Sequence, residues 1–254
     1  MEPPEAFSHC YARTLRIENE NSGSCSGFIL RYQRQDWLVT ARHVVTEVVV
    51  PGHGRPITLR DRRFSVLDQS GFKHSGSDLE KLDMVDFRAD VTVFRVWSQD
   101  INLGPPLLPF GGDDVRPTQD VYFLGFPGFD LPEAYGLTPS STTPLIKRAM
   151  VSGQADHYDI KVWLLDGMAN HGFSGGPVVI FDSRSASYQA LGVISSYAPA
   201  NVRIIPELIT PDPHRVGVSP LSPKDRFFET NSGIAACFDI KHAIADIDQY
   251  LKSP

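Results

Sequence analysis

Short runs of Val, Ile, Phe and Tyr, each bounded by Gly, Pro, Asp or Ser, recur along the chain and predict strands rather than helices. They fall at 13–18, 27–32, 37–40, 57–60, 64–67, 91–97 and 121–126. The second half adds 149–154, 160–165, 178–181, 190–195 and 234–240. Long helical stretches do not alternate with these runs, which argues against a doubly wound α/β sheet. One segment changes period. Ile240, Ala243, Ile244, Ile247 and Leu251 recur at steps of three and four, which predicts a helix closing the chain and packing one stripe onto the last sheet.

Between the runs, 128–144 and 199–223 read as long loops, the second holding six prolines. The stretch 101–117, with Gly104-Pro105-Pro106 and Gly111-Gly112, reads as a connection between two halves. The expected division is 1–105 and 106–254. No internal repeat is visible.

Bulk properties narrow the function classes. A net charge of −6 and a pI near 5.7 argue against nucleic-acid binding through a basic surface. Arg60-Asp61-Arg62-Arg63 is the one basic cluster and reads as a solvated turn or strand face. No apolar run approaches the ~18 residues of a membrane span, and no signal-type segment follows Met1. Cys10, Cys25 and Cys237 have no metal-type spacing and read as buried thiols, from which a cytoplasmic location is expected. The eight histidines include no HExxH, so no metal and no cofactor are expected. Oligomeric state is not legible.

Three segments carry candidate chemistry: Thr40-Ala41-Arg42-His43-Val44-Val45, Ala89-Asp90-Val91-Thr92-Val93, and Gly172-Phe173-Ser174-Gly175-Gly176-Pro177. A serine hydroxyl is a poor nucleophile until a neighbouring base takes its proton, and a carboxylate fixes the tautomer of that base. His43 lies at the mouth of a strand on one short helical turn. Asp90 stands where a buried strand emerges, with Asp83 and Asp86 as competing acids. The glycines around Ser174 permit positive φ, and the N–H groups of Gly172 and Ser174 can converge on an oxyanion. The same residues match Gly-x-Ser-x-Gly, the nucleophile elbow of α/β-hydrolases, for which His214 or His242 with Asp182 or Asp212 would complete a triad. That reading needs a helix after the serine, whereas Pro177-Val178-Val179-Ile180-Phe181 reads as a strand.

In this order, and with 47 residues from His43 to Asp90 and 84 from Asp90 to Ser174, the segments resemble the trypsin-like serine peptidases of chymotrypsin fold. The resemblance runs over about residues 23–240. It implies an all-β chain of two six-stranded antiparallel Greek-key barrels with a C-terminal α-helix, the first barrel carrying His43 and Asp90 and the second Ser174. It implies an endopeptidase acting on peptide or protein substrates through an acyl-enzyme. His43 would be the base, Asp90 its orienter and Ser174 the nucleophile, with Gly172 and Ser174 as oxyanion hole. Leu191–Tyr197 resembles the strand that pairs with substrate, with Ser195 near Asp90. Met168 resembles the pocket base, Tyr197 its wall and Gly233 the small residue that keeps it open, while His171 stands beside the oxyanion hole.

The departures from the family pattern also bear on function. Val44 stands where secreted members have a cysteine, and Phe173 where they have the aspartate that captures a freed N-terminus. The chain therefore resembles the disulfide-free bacterial branch, without activation by clipping and without a further domain after Leu251. An uncharged pocket implies small or apolar side chains at the cleavage site. Two other readings stay open: a catalytically silent binding module of the same fold, and an α/β-hydrolase esterase.

Overall fold

The computed structural model describes residues 7–20, 23–49, 58–96, 103–112, 114–127, 142–203 and 227–253; for 48–49, 58–59, 197–203 and 227–230 it describes the backbone alone. A short helix α1 (Ser8–Arg13) leads into β1 (Thr14–Asn19), β2 (Gly23–Tyr32) and β3 (Gln35–Thr40). A single turn α2 (Arg42–Val45) is followed by β4 (Thr46–Val49), β5 (Thr58–Asp61), β6 (Phe64–Leu67), β7 (Lys73–Ser75), β8 (Glu80–Lys81) and β9 (Thr92–Arg95). The second half contains β10 (Asp120–Gly125), β11 (Leu145–His157), β12 (Ile160–Asp166), β13 (Pro177–Asp182), β14 (Ser187–Arg203) and β15 (Phe227–Asp239). It ends in α3 (Lys241–Lys252).

The fold is all-β with a terminal helix, a chymotrypsin-type architecture. β10–β15 close into a six-stranded barrel in the order β10-β11-β12-β15-β14-β13. The first half differs in detail from a six-stranded barrel. Its described strands form a curled seven-stranded sheet, β7-β6-β1-β2-β3-β9-β8, with β4 and β5 as a separate hairpin. β14 also runs through Arg203, so the start of the expected loop 199–223 is strand paired with β15; the rest of that loop, and nearly all of 128–144, lie outside the described residues.

Two hairpins turn on residue pairs with positive φ and no glycine: Gln33-Arg34 (49° and 63°) between β2 and β3, and Tyr158-Asp159 (49° and 67°) between β11 and β12. Their backbone twist matches that of the strands, and the tertiary pairing outweighs the side-chain cost.

The sheet and barrel meet along β2. Phe28, Leu30, Trp37 and Val39 fill the first core, and Phe123, Leu165, Phe173 and Val178 the second. α3 buries Ala243 and Ile247 and packs on both halves: His242 meets Phe238 of β15, and the helix also reaches back to the first sheet. The Tyr250 ring meets Trp37 edge-on at 5.9 Å, its hydroxyl donates to Glu80 (3.0 Å), and Arg95 donates to it (3.0 Å). Leu251, counted in the apolar stripe, is exposed. Cys10, Cys25 and Cys237 are buried, and burial pushes the Cys10 thiol up to about 12. No described helix is long and apolar enough to cross a membrane.

Candidate active site

β3 ends at Thr40, and the single turn α2 lifts His43 to the rim of the seam, as the short apolar run before it predicts. Asp90, at the approach to β9, takes both donors of that residue: the His43 N–H donates to Oδ1 (2.9 Å) and Nδ1 pairs with Oδ2 (2.6 Å). Ser195 Oγ donates to the same Oδ2 (2.6 Å). An acceptor-only carboxylate at Nδ1 places the imidazole proton there and leaves Nε2 as the basic nitrogen. Burial pushes the Asp90 carboxyl up, but the His43 ring, its charge, the Ser195 hydroxyl and the His43 N–H outweigh that and hold it down at about 2.

Ser174 sits on the barrel side of the seam. Phe173, fully buried, drives its ring into the barrel core against Phe123 at 5.0 Å and so anchors the loop. Gly176 N–H donates to the Phe173 carbonyl (2.9 Å), fixing the peptide that carries the Ser174 N–H. Gly175 has φ +86°, and a Cβ there would collide with Ser26 O and Thr40 Oγ1, so the close approach of sheet and barrel requires glycine. Ser26 on β2 clamps the loop twice: its Oγ donates to the Gly172 carbonyl (2.6 Å) and its N–H to the Ser174 carbonyl (2.9 Å). The N–H groups of Gly172 and Ser174 have no acceptor among the described residues, as donors kept for an oxyanion require.

His43, His171, Gly172, Ser174 and Ser195 line one cleft of about 470 Å³. The His43–Asp90 link of a serine–histidine–aspartate relay is therefore in place, but the Ser174–His43 link is not made. Ser174 Oγ donates to the Ser195 carbonyl (2.9 Å), and no hydrogen bond joins it to His43 among the described residues. Met168 and Gly233 stand outside the cleft lining. Met168 is 54% exposed, and its neighbour Gly167 donates to the Gly233 carbonyl (2.8 Å). Gly233 has φ +82° and open space where a Cβ would stand. Tyr197 pairs through its backbone with Ala235, and its side chain lies outside the described residues.

The elbow alternative lacks its setting. β13 follows the serine where a helix is needed, Asp182 is bonded to Arg184 and Ser185, and His214 and Asp212 lie outside the described residues. Among the described residues no group of three or more His, Cys, Asp or Glu side chains is arranged to hold a metal.

The model of the trypsin-like peptidase domain matches residues 25–184, a span that contains all three segments. The chain belongs to the trypsin-like peptidase domain family. No curated protein matches it in sequence. Among solved structures, the peptidase domain is similar to the Rv3671c protease of M. tuberculosis in an inactive form, with a TM-score of 0.53, 16% identity and coverage of 96% of this chain and 91% of that one. It is similar to the HtrA-type protease AlgW with tripeptide (0.56, 15%, 97% and 62%). A third similar structure is a serine endoprotease from Yersinia pestis (0.56, 14%, 98% and 66%). The peptidase domain thus spans less than two thirds of those last two chains, and at these identities the likeness is one of fold.

Three contributors to the site, Ser26, Lys147 and Glu47, carry no sequence signal of their own, and Arg62 shows in the sequence only as part of a basic cluster. Lys147 on β11 donates to the Met168 carbonyl (2.6 Å) and to Asn170 Oδ1 (2.5 Å), and its ammonium lies 5.3 Å from the centre of the Phe173 ring. Asn231 adds a bond to the Ala169 carbonyl. The loop before the serine is therefore fastened from β11 and β15, strands distant in sequence.

Proposed function

We propose that the chain is a serine endopeptidase in which Ser174 attacks a peptide carbonyl while His43 Nε2 takes its proton. Asp90 holds the imidazole tautomer and stabilises the imidazolium that forms. The N–H groups of Gly172 and Ser174 receive the oxyanion, His43 returns the proton to the leaving amine, and water then cleaves the acyl-enzyme. The reaction as drawn uses protein groups and water alone. The observation that carries this reading is the two-point grip of Asp90 on His43, which aims the basic nitrogen into the cleft that Ser174 shares. Ser174 starts from its bond to the Ser195 carbonyl and turns about χ1 to reach His43 when substrate enters.

The silent-module reading draws on one observation, the same Ser174–Ser195 bond, which takes the hydroxyl away from its base. A fluorophosphonate probe separates the two. Labelling is expected at Ser174 in the folded protein and is expected to vanish, with peptide cleavage, in Ser174→Ala. His43→Ala is expected to lower turnover by about 10³-fold or more. Folded protein that takes no label would establish the silent module, and full turnover without His43 would revive the esterase.

A further inference from the structure

Arg60-Asp61-Arg62-Arg63 reads in sequence as a solvated face, and two of its arginines behave so: Arg60 and Arg63 are exposed, at 3.7 Å from Glu47 and 3.9 Å from Glu20. Arg62 does not. Its N–H donates to the Val45 carbonyl (2.8 Å), two residues after His43, and its side chain, 22% exposed, lines the candidate active-site cleft. Its Nε is buried and hydrogen-bonded to nothing among the described residues. The nearest carboxylate, Glu47, lies at 3.9 Å, beyond hydrogen-bond range, and is shared with Arg60. Asp61 is committed to Lys81 at 2.5 Å. Among the described residues that line the cleft, Arg62 is the one permanently cationic side chain and Glu47 the one carboxylate.

We infer that Arg62 anchors a subsite for a carboxylate on the leaving-group side of the scissile bond, so that peptides with Asp or Glu in the two positions after that bond are the preferred substrates. The inference rests on the reading of Ser174 and His43 given above. A base that protonates the leaving amine must stand beside it. The wall next to His43 is built by its own half of the chain, from Cys25, Thr46, Glu47 and Arg62. The facing wall, 169–172 and 194–196, belongs to the barrel. A guanidinium takes a carboxylate through parallel N–H bonds, a geometry that a lysine would not reproduce. Glu47 keeps Arg60 as its counter-ion when a substrate carboxylate engages Arg62.

The test uses fluorogenic peptides that share one sequence up to the scissile bond and carry Asp, Glu, Ala or Lys after it. The wild-type chain is expected to favour the acidic peptides over Ala by about five- to tenfold in kcat/KM, with Lys lowest. The preference is expected to shrink as salt rises, because screening acts on exposed pairs first. Arg62→Ala is expected to bring the ratio near one, Arg62→Glu to invert it, and Glu47→Gln to raise it. Each ratio is taken within one protein, so a general loss of activity leaves it readable. An unchanged ratio in Arg62→Ala, or no acidic preference in a wild type that takes the fluorophosphonate label, would overturn the subsite. Calorimetric binding of the same peptides to Ser174→Ala gives an arm that needs no chemistry. Tighter acidic binding that depends on Arg62, in a chain whose wild type takes no label, would uphold the subsite and sink the nucleophile instead.

Discussion

Ser26 shows how much one small side chain decides at this site. It is fully buried, and its bonds all serve the seam: Oγ donates to Gly172 O and accepts from Phe126 N–H (2.9 Å), the backbone N–H holds Ser174 O, and the carbonyl receives Thr40 Oγ1 (2.8 Å). Replacing it with alanine leaves a buried carbonyl and a buried N–H without a partner, a loss of about 1–3 kcal/mol in stability. The same change releases the Gly172 carbonyl, so the residue whose own N–H is one of the two oxyanion donors loses an anchor. Ser26→Ala is therefore expected to lower kcat by about 10- to 100-fold with little change in KM, because the interaction lost is one made in the transition state. Urea melts and steady-state kinetics on the same preparation check both halves. Destabilisation with an unaltered kcat would reduce Ser26 to a purely structural residue.

At the scale of elements, the loop 167–173 is held from outside itself, and Lys147 on β11 is its main fastening. Lys147→Met keeps the apolar stem against Phe173 but removes the bonds to the Met168 carbonyl and to Asn170. The expected result is about a tenfold loss of kcat and slower labelling of Ser174. Burial pushes the Lys147 pKa below its ordinary 10.5, so the ammonium is lost earlier on the alkaline side than a solvated lysine. An alkaline decline in wild-type activity that is absent from Lys147→Met would tie the effect to that charge. An identical alkaline limb in both proteins would count against it. The same scale explains what was legible in the sequence. β2, β3, β9, β10 and β13 were readable because their residues are buried as runs between turn-forming residues. His43, Asp90 and Ser174 were readable because their neighbours follow a local grammar of strand ends and glycine turns. β4, β7 and β8 were not: they have two to four residues, several of them polar, and exist only through their partners. α1, at six residues, is too short to display a helical period. Ser26 and Lys147 act on groups far along the chain, from strands whose local pattern says nothing of the cleft, and Arg62 reaches the cleft from the connection between β5 and β6.

Across the whole molecule, the terminal helix braces the segment that delivers Asp90. Asp246 on α3, 4% exposed, accepts the Val85 N–H at 2.7 Å, five residues before Asp90 in the chain. Burial pushes its pKa up to about 6 from 3.8, against the Val85 N–H and with help from the charge of Asp86. Asp86 itself is held at about 2 by Arg88 and stays ionised throughout that range. The sign follows from proton counting. Below about pH 3.8 the carboxyl is protonated in both states and the fold bears no penalty. Between about 3.8 and 6 the unfolded chain releases the proton first, so stability falls as pH rises, and above about 6 the full penalty stands. Asp90 works in the opposite direction and in a separate window. Its stabilisation is present above about 3.8 and lost as pH falls toward about 2. Asp246→Asn keeps an oxygen for the Val85 N–H and removes the titration. It is expected to be more stable than the wild type by about 1–3 kcal/mol at pH 8, with the gap nearly closed by about pH 4. Denaturant melts at both pH values decide it. A variant less stable than the wild type at pH 8 would mean that the charged carboxylate grips Val85 more strongly than burial opposes it, and the helix would then brace the Asp90 segment best in its ionised form.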